Sequence, residues 1–315
     1  MTTAPSFTKF ILPISGTDFV RYMAFFSILS EYNIKPSQIY CASGGCLAAY
    51  MAMMSSFTKQ IEDWNVSSDM IIEKTTPFKF RTVTYIMNGY LYRRPDMESY
   101  VRRIFVPAKM RDVEIISGYY KTTEKEVVIS TNFIDGQSSI GAAQKDRLKE
   151  WNVNLSYGPT DMDELMTHTC NCIQRTSNIP YLLESDDKSS VDFGVIAPSP
   201  RLLLNVDPHQ SIYFCPIDLT IDKGSNLINS IFYRMIVNDI ITIENRFSGK
   251  ASFDSLAAAL QFAGSKSRYT LIIFTKSDIM IPITSFGKKE VQAGIAHTKA
   301  AMQYIVYHGA PTSCP

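Results

Sequence analysis

The sequence predicts an α/β protein with a mainly parallel central sheet covered by helices on both faces, and three observations predict it. Short apolar runs alternate with helical patterns from the start of the chain, later strand-like runs keep that alternation, and the composition supplies a large core. Hydrophobic residues make up 45% and charged residues 19% of 315 residues. That is enough apolar surface for one sizeable domain rather than a disordered chain.

Phe10-Ile11-Leu12-Pro13-Ile14 reads as a buried strand that stops at Ser15-Gly16. A helical apolar period runs from about Val20 to Tyr32, and the chain is extended again from Ile34 to Ala42. Ser43-Gly44-Gly45 then opens an Ala-, Leu- and Met-rich helix over Cys46 to Phe57. These sixty or so residues form a βαβα start, which favours parallel strands with right-handed crossovers. The stretch from about Lys59 to Tyr120 is aromatic, charged and helix-leaning, with Pro95-Asp96 opening a helix over Met97 to Ile104. A helix-rich cap or insertion is expected at about 58–120, within a single domain spanning 1–315.

Val127 to Phe133 is strongly β, and Asp135-Gly136 signals a tight turn into a second short strand, closing a hairpin by Ile140. A helix follows from about Asp161 to Arg175, then Ser177-Asn178-Ile179-Pro180, an acidic loop and Val191-Asp192-Phe193-Gly194-Val195. Ser211 to Ile217 and Tyr269 to Phe274 read as buried strands, and Lys288 to Tyr307 as the last helix. No repeat and no low-complexity tract interrupts the chain.

Charge excludes some functions. With 31 basic and 30 acidic side chains the net charge is +1, so the basic footprint of a nucleic-acid binder is missing. The longest apolar stretches, Tyr22 to Leu29 and Leu47 to Met54, fall well short of the ~20 residues that span a bilayer, so no transmembrane segment is expected. Met1 to Lys9 lacks the order of a signal peptide. The cysteines Cys41, Cys46, Cys170, Cys172, Cys215 and Cys314 read as reduced thiols. Cys170-Asn171-Cys172 is too closely spaced for a usual zinc site, so neither metal nor cofactor is expected.

Ser43 is the candidate nucleophile. It stands where a strand ends and an Ala-rich helix begins, among the small residues Ala42, Gly44 and Gly45. A serine attacks a carbonyl only when its hydroxyl projects from a sharp turn, and small neighbours let strand and helix close up around it. The helix amides and dipole then favour the oxyanion. Asp135-Gly136 is better explained as a turn than as a catalytic carboxylate. His168, His209, His297 and His308 lack a motif and read as helix-face or surface residues.

Cys41-Ala42-Ser43-Gly44-Gly45 followed by Cys46-Leu47-Ala48-Ala49-Tyr50 resembles the nucleophile segment of the patatin-like phospholipases, with Cys41 where the family's G-x-S-x-G has its first glycine. Ile14-Ser15-Gly16 and Arg21 stand where that family has its oxyanion loop and basic residue. Ser177-Asn178-Ile179-Pro180 and Asp192-Phe193-Gly194-Val195-Ile196-Ala197-Pro198 resemble its S-x-x-I-P segment and its aspartate turn. The resemblance implies a three-layer patatin-like fold and a serine lipid acyl hydrolase without cofactor. It implies Ser43 and Asp192 as a catalytic dyad, with Gly16, Thr17, Asp18, Arg21 and Gly44 around the oxyanion and substrate. Cys41, Gly45 and Gly194 support the motifs. The implied partner is a lipid ester at a membrane surface, and the implied location is cytoplasmic or peripheral to an intracellular membrane. The loop Gly16-Thr17-Asp18-Phe19-Val20-Arg21 keeps one glycine, and Asp18 there serves equally as a helix cap, so a catalytically weak or silent lipid-binding or assembly module is the alternative.

Overall fold

The computed structural model describes residues 7–15, 19–54, 102, 105–178, 189–216, 227–263, 269–275 and 288–309. Strand β1 (Lys9–Leu12), helix α1 (Phe19–Glu31), strand β2 (Gln38–Cys41) and helix α2 (Gly44–Met54) form the predicted βαβα start. Then come β3 (Glu114–Lys121), β4 (Glu126–Thr131), α3 (Ala142–Glu150), β5 (Val153–Ser156), α4 (Met162–Thr176) and β6 (Ser190–Asp192). The chain continues through β7 (Ser211–Cys215), α5 (Leu227–Glu244), β8 (Gly249–Phe253), α6 (Leu256–Ala263), β9 (Thr270–Thr275), α7 (Lys288–Ala301) and β10 (Met302–His308).

The ten strands make one sheet in the order β5-β4-β3-β2-β1-β7-β9-β10-β8, with β6 added to β3. It is mixed rather than cleanly parallel. The inner strands β3, β2, β1, β7 and β9 run parallel, whereas β4 and β6 pair antiparallel with β3, and β10 pairs antiparallel with β9 and β8. A short turn carrying Lys125 at a φ of 55° joins β3 to β4, and so tight a connection permits only an antiparallel pair.

Both faces of the sheet are covered. On one, Phe10, Leu12, Phe214 and Ile273 pack against Phe25 of α1, Ile173 of α4, Ala259 of α6 and Ile295 of α7. On the other, Ile11, Tyr213 and Ile272 pack against Ile236, Ile240 and Ile243 of α5 and Leu148 of α3. Alternate residues of one strand thus enter different cores, which is why the inner strands read as unbroken apolar runs. Helix α2 has buried residues around its circumference because it sits between the sheet, α1 and α4. Helix α4 is amphipathic and starts where the Asp161 side chain accepts hydrogen bonds from the amides of Asp163 (2.9 Å) and Glu164 (3.0 Å).

Three expectations are corrected. Residues 114–120, read as helix-leaning, belong to β3, whose pairing with β2 and β4 overrides local composition. The hairpin through Asp135-Gly136 does not form: β4 pairs back onto β3, and Asp135–Gln137 is a 3-10 turn in which Asp135 pairs with Lys145. The final helix ends at Ala301, and Met302–His308 is a strand held between β9 and β8. The stretch at 58–101 lies outside the described residues, and among the described residues no helix is long and apolar enough to cross a membrane.

Candidate active site

Ser43 links the last residue of β2 to the first turn of α2 with a φ of 52°, in the left-handed region that a side chain with a Cβ rarely adopts. Its carbonyl accepts the amides of Cys46 at 3.0 Å and Leu47 at 3.2 Å, so the strained residue also caps the helix. The elbow is pressed onto β1. The Ala42 amide donates to the Leu12 carbonyl at 3.2 Å, and a Cβ on Gly45 would lie 2.5 Å from that same carbonyl oxygen. Only glycine lets the helix start so close to the neighbouring strand.

The cysteines on either side of the elbow are not free thiols. Cys41 and Cys46 form a disulfide with Cα atoms 4.8 Å apart, and both are fully buried. Five residues apart in sequence, they meet because the elbow folds the first turn of α2 back beside the end of β2. Cys170, Cys172 and Cys215 are buried thiols outside any disulfide, in keeping with the reduced reading.

Asp192 ends β6 and is 5% exposed. Its amide donates to the Asn178 carbonyl at 2.8 Å, and its Oδ1 accepts the Gly194 amide at 2.7 Å, so the carboxylate caps the 3-10 turn Phe193–Val195. Asn178 fastens the strand from the other side, donating from Nδ2 to the Ser190 carbonyl at 2.6 Å. Gly194 is needed here because a Cβ would lie 2.9 Å from Asp192 Oδ1 and 2.8 Å from Ile14 Cγ2. Phe193, which replaces a glycine of the resembled motif, turns into the core and lies on Gly118 of β3, where a Cβ would stand 2.4 Å from the ring.

Register places the two candidates together. One edge of β3 is taken by β4, so β2 and β6 share the other, with Ile116 opposite Tyr40 and Tyr119 opposite Asp192. The gap between those partners is three residues of β3, about 10 Å, and Ala42 and Ser43 run into it from β2 as Asp192 closes it from the opposite direction. The end of β1 meets the same place: the Ile14 amide donates to the Pro198 carbonyl at 3.0 Å, and Tyr22 of α1 donates its hydroxyl to the Pro13 carbonyl at 2.5 Å. Three sequence segments that looked like one motif set therefore converge at the carboxyl end of the parallel strands, where α/β sheets place their sites.

Arg21 reaches the carboxyl end of another inner strand. It is 2% exposed and donates from Nη1 to Thr275 Oγ1 at 3.1 Å, at the carboxyl end of β9. Gly44 opens α2 beside Ser43, and Gly16, Thr17 and Asp18 lie outside the described residues. Sequence reasoning passed over Gly118 and Tyr119, which carry no motif but receive Phe193 and pair with Asp192. Arg175 of α4 donates to the Tyr119 hydroxyl at 3.2 Å and stacks over its ring at 5.2 Å. Among the described residues no group of three or more His, Cys, Asp or Glu is arranged to hold a metal.

No protein-family model matches the chain, and no curated protein matches it. Among solved structures, VipD from Legionella pneumophila is similar, with 10% sequence identity and a TM-score of 0.41. The similarity covers 95% of this chain and 66% of that one, so the chain spans about two thirds of VipD's length.

Proposed function

We propose that the chain is a patatin-like serine acyl hydrolase of phospholipid or other lipid esters, with Ser43 as nucleophile and Asp192 as its base. The observation that carries this reading is the left-handed Ser43 at a strand-to-helix elbow, whose loop runs into the gap on β3 that Asp192 closes. A residue is held in that backbone conformation at some cost, and a turn that projects a hydroxyl from the sheet end is what such strain serves in acyl transfer.

In this mechanism Ser43 Oγ attacks the ester carbonyl while Asp192 accepts its proton, and the alcohol leaves with that proton. Water then attacks the acyl-enzyme, with Asp192 again as base, releasing the fatty acid and restoring Ser43. Burial of Asp192 and the bond it accepts from the Gly194 amide keep the carboxylate oriented. The start of α2 supports the oxyanion through its amides and dipole, with Gly16, Thr17, Asp18 and Arg21 as the loop that the resemblance assigns to substrate. Substrate reaches the site from a lipid surface, in the cytoplasm or at an intracellular membrane.

Fluorophosphonate labelling and ester hydrolysis of folded wild-type, Ser43→Ala and Asp192→Asn protein test the proposal. Labelling of wild type that is lost in Ser43→Ala, with turnover lost in both variants, supports it. A folded wild-type protein that neither labels nor turns over lipid esters would refute the enzyme and leave the lipid-binding or assembly module, the reading that the single glycine of the 16–21 loop favours.

A further inference from the structure

A second group of reactive side chains lies beneath α4, against β3 and β4. Cys172 Sγ is 3.0 Å from Ser130 Oγ and 3.5 Å from His168 Nε2, and Ser130 Oγ is 3.4 Å from the same nitrogen. His168 and Cys172 stand one helical turn apart, which puts them on one face of α4. His168 Nε2 is also 3.0 Å from the Thr131 carbonyl oxygen, which only accepts, so this nitrogen carries its hydrogen. The Tyr50 hydroxyl, from α2, borders both Cys172 and Ser117, and Ser117 faces Ser130 across the β3–β4 pair. Tyr50 Oη and Ser117 Oγ are buried with no partner in hydrogen-bonding geometry among the described residues.

The Ser130 hydroxyl and His168 Nε2 both approach the Cys172 sulfur, which the Tyr50 hydroxyl also borders. A thiolate there accepts from the Ser130 hydroxyl and balances the charge of an imidazolium 3.5 Å away. Burial pushes the Cys172 thiol up, but the His168 charge and the polar contacts with His168, Ser130 and Tyr50 outweigh it and hold the thiol below its ordinary range. Burial pulls the His168 imidazolium down, and the adjacent sulfur more than offsets this, raising it above its ordinary value. The other titratable or charged neighbours are Tyr119 of β3, which senses Cys172, and Arg111, which opposes the His168 charge. Cys172 is 3% exposed beside a half-buried imidazole, so a reagent that reaches the sulfur is small and uncharged.

We propose that Cys172 is a modification site, a thiolate paired with His168 that reacts with hydrogen peroxide or a similarly small hydroperoxide to give a sulfenic acid. The sulfur attacks the distal peroxide oxygen, forming the S–O bond as the O–O bond breaks. Sulfur is oxidised by two electrons, the peroxide is reduced, and the leaving hydroxide or alkoxide takes the His168 Nε2 proton. The site uses neither Ser43 nor Asp192.

The experiment treats the folded full-length chain with hydrogen peroxide and dimedone, maps adducts by peptide mass spectrometry, and compares the thiolate ultraviolet absorbance of wild type with Cys172→Ser. The expected result is a dimedone adduct on Cys172 and not on Cys170, a thiolate signal at neutral pH that Cys172→Ser removes, and labelling slowed on the order of tenfold in His168→Gln. Adduct mapping in wild type needs no variant to fold. An adduct confined to another cysteine, or none, would overturn the proposal; a thiolate signal without an adduct would overturn it too, leaving a buried ion pair that peroxide does not reach.

Discussion

At the scale of single residues, Gly194 shows how little room the proposed dyad has. A methyl group there would collide with Asp192 Oδ1 and with Ile14, so Gly194→Ala must move the carboxylate or the end of β1. Since misplacing a reacting group by about 1 Å can cost on the order of a hundredfold in rate, Gly194→Ala is expected to lose ester hydrolysis by roughly that factor and to lower stability by about 1–3 kcal/mol in chemical denaturation. The same measurements apply to Asn178→Ala, which removes the side-chain bond to Ser190 and is expected to lower stability by about 1–3 kcal/mol. The Cys172–His168 pair makes stability depend on pH with a defined sign. His168 is raised in the folded state, so its contribution is complete below an ordinary imidazole value of about 6.5 and is lost as pH rises through the folded value. Cys172 is lowered, so its contribution is complete above an ordinary thiol value of about 8.5 and is lost as pH falls through the folded value. Denaturant titrations from acid to mild alkali are therefore expected to show the destabilisation by His168→Gln fading at both ends.

At the scale of elements, the elbow is held by two devices, the close approach of Gly45 to β1 and the Cys41–Cys46 bridge. Closing so short a loop removes little unfolded-state entropy, and the chain-entropy relation gives about 2 kcal/mol. Replacing both cysteines with serine is expected to lower unfolding free energy by that amount, measured by urea denaturation with and without reductant. Wild type should fall to the level of the variant only when reduced, because the buried bridge is shielded from thiols in the folded state. The β3–β6 contact makes a second test. Gly118→Ala places a methyl group against the buried Phe193 ring and is expected to cost about 1–3 kcal/mol, with part of it recovered by Phe193→Leu. The elbow was legible because its small residues are contiguous in sequence. The β6 attachment was not, because Gly118 and Phe193 are far apart in the chain and neither is unusual alone.

At the scale of the whole molecule, the core on the α5 side contains a charge pair. Arg201 is paired with Asp239 of α5, donates to Thr242 Oγ1 at 2.9 Å, and lies beside Tyr213 of β7, whose hydroxyl donates to Asp239 Oδ2 at 3.0 Å. Both charged side chains are almost completely buried, at 3% and 0% exposure. Removing one partner strands the other without water, so Arg201→Met is expected to destabilise the fold by about 3–5 kcal/mol in chemical denaturation. Combining Arg201→Met with Asp239→Leu should restore much of that loss, because two apolar side chains carry no desolvation penalty. This network ties α5 and the 201–206 turn to the middle of the sheet, on the side opposite α2 and α4.

From the residues alone follow the βαβα opening, the helix α4, the buried strands β7 and β9, and Ser43 as the residue of the elbow. Each is a local property: an apolar period, an apolar run, or a cluster of small residues that strand and helix need to meet. Only the tertiary structure decided that residues 114–121 and 302–308 are strands, that β4 turns back onto β3, and that Cys41 bonds to Cys46. It also decided that Asp192, about 150 residues after Ser43, closes the gap on β3 that the elbow enters. Those outcomes rest on pairings between distant segments, whose energy comes from neighbours that no local window of sequence contains.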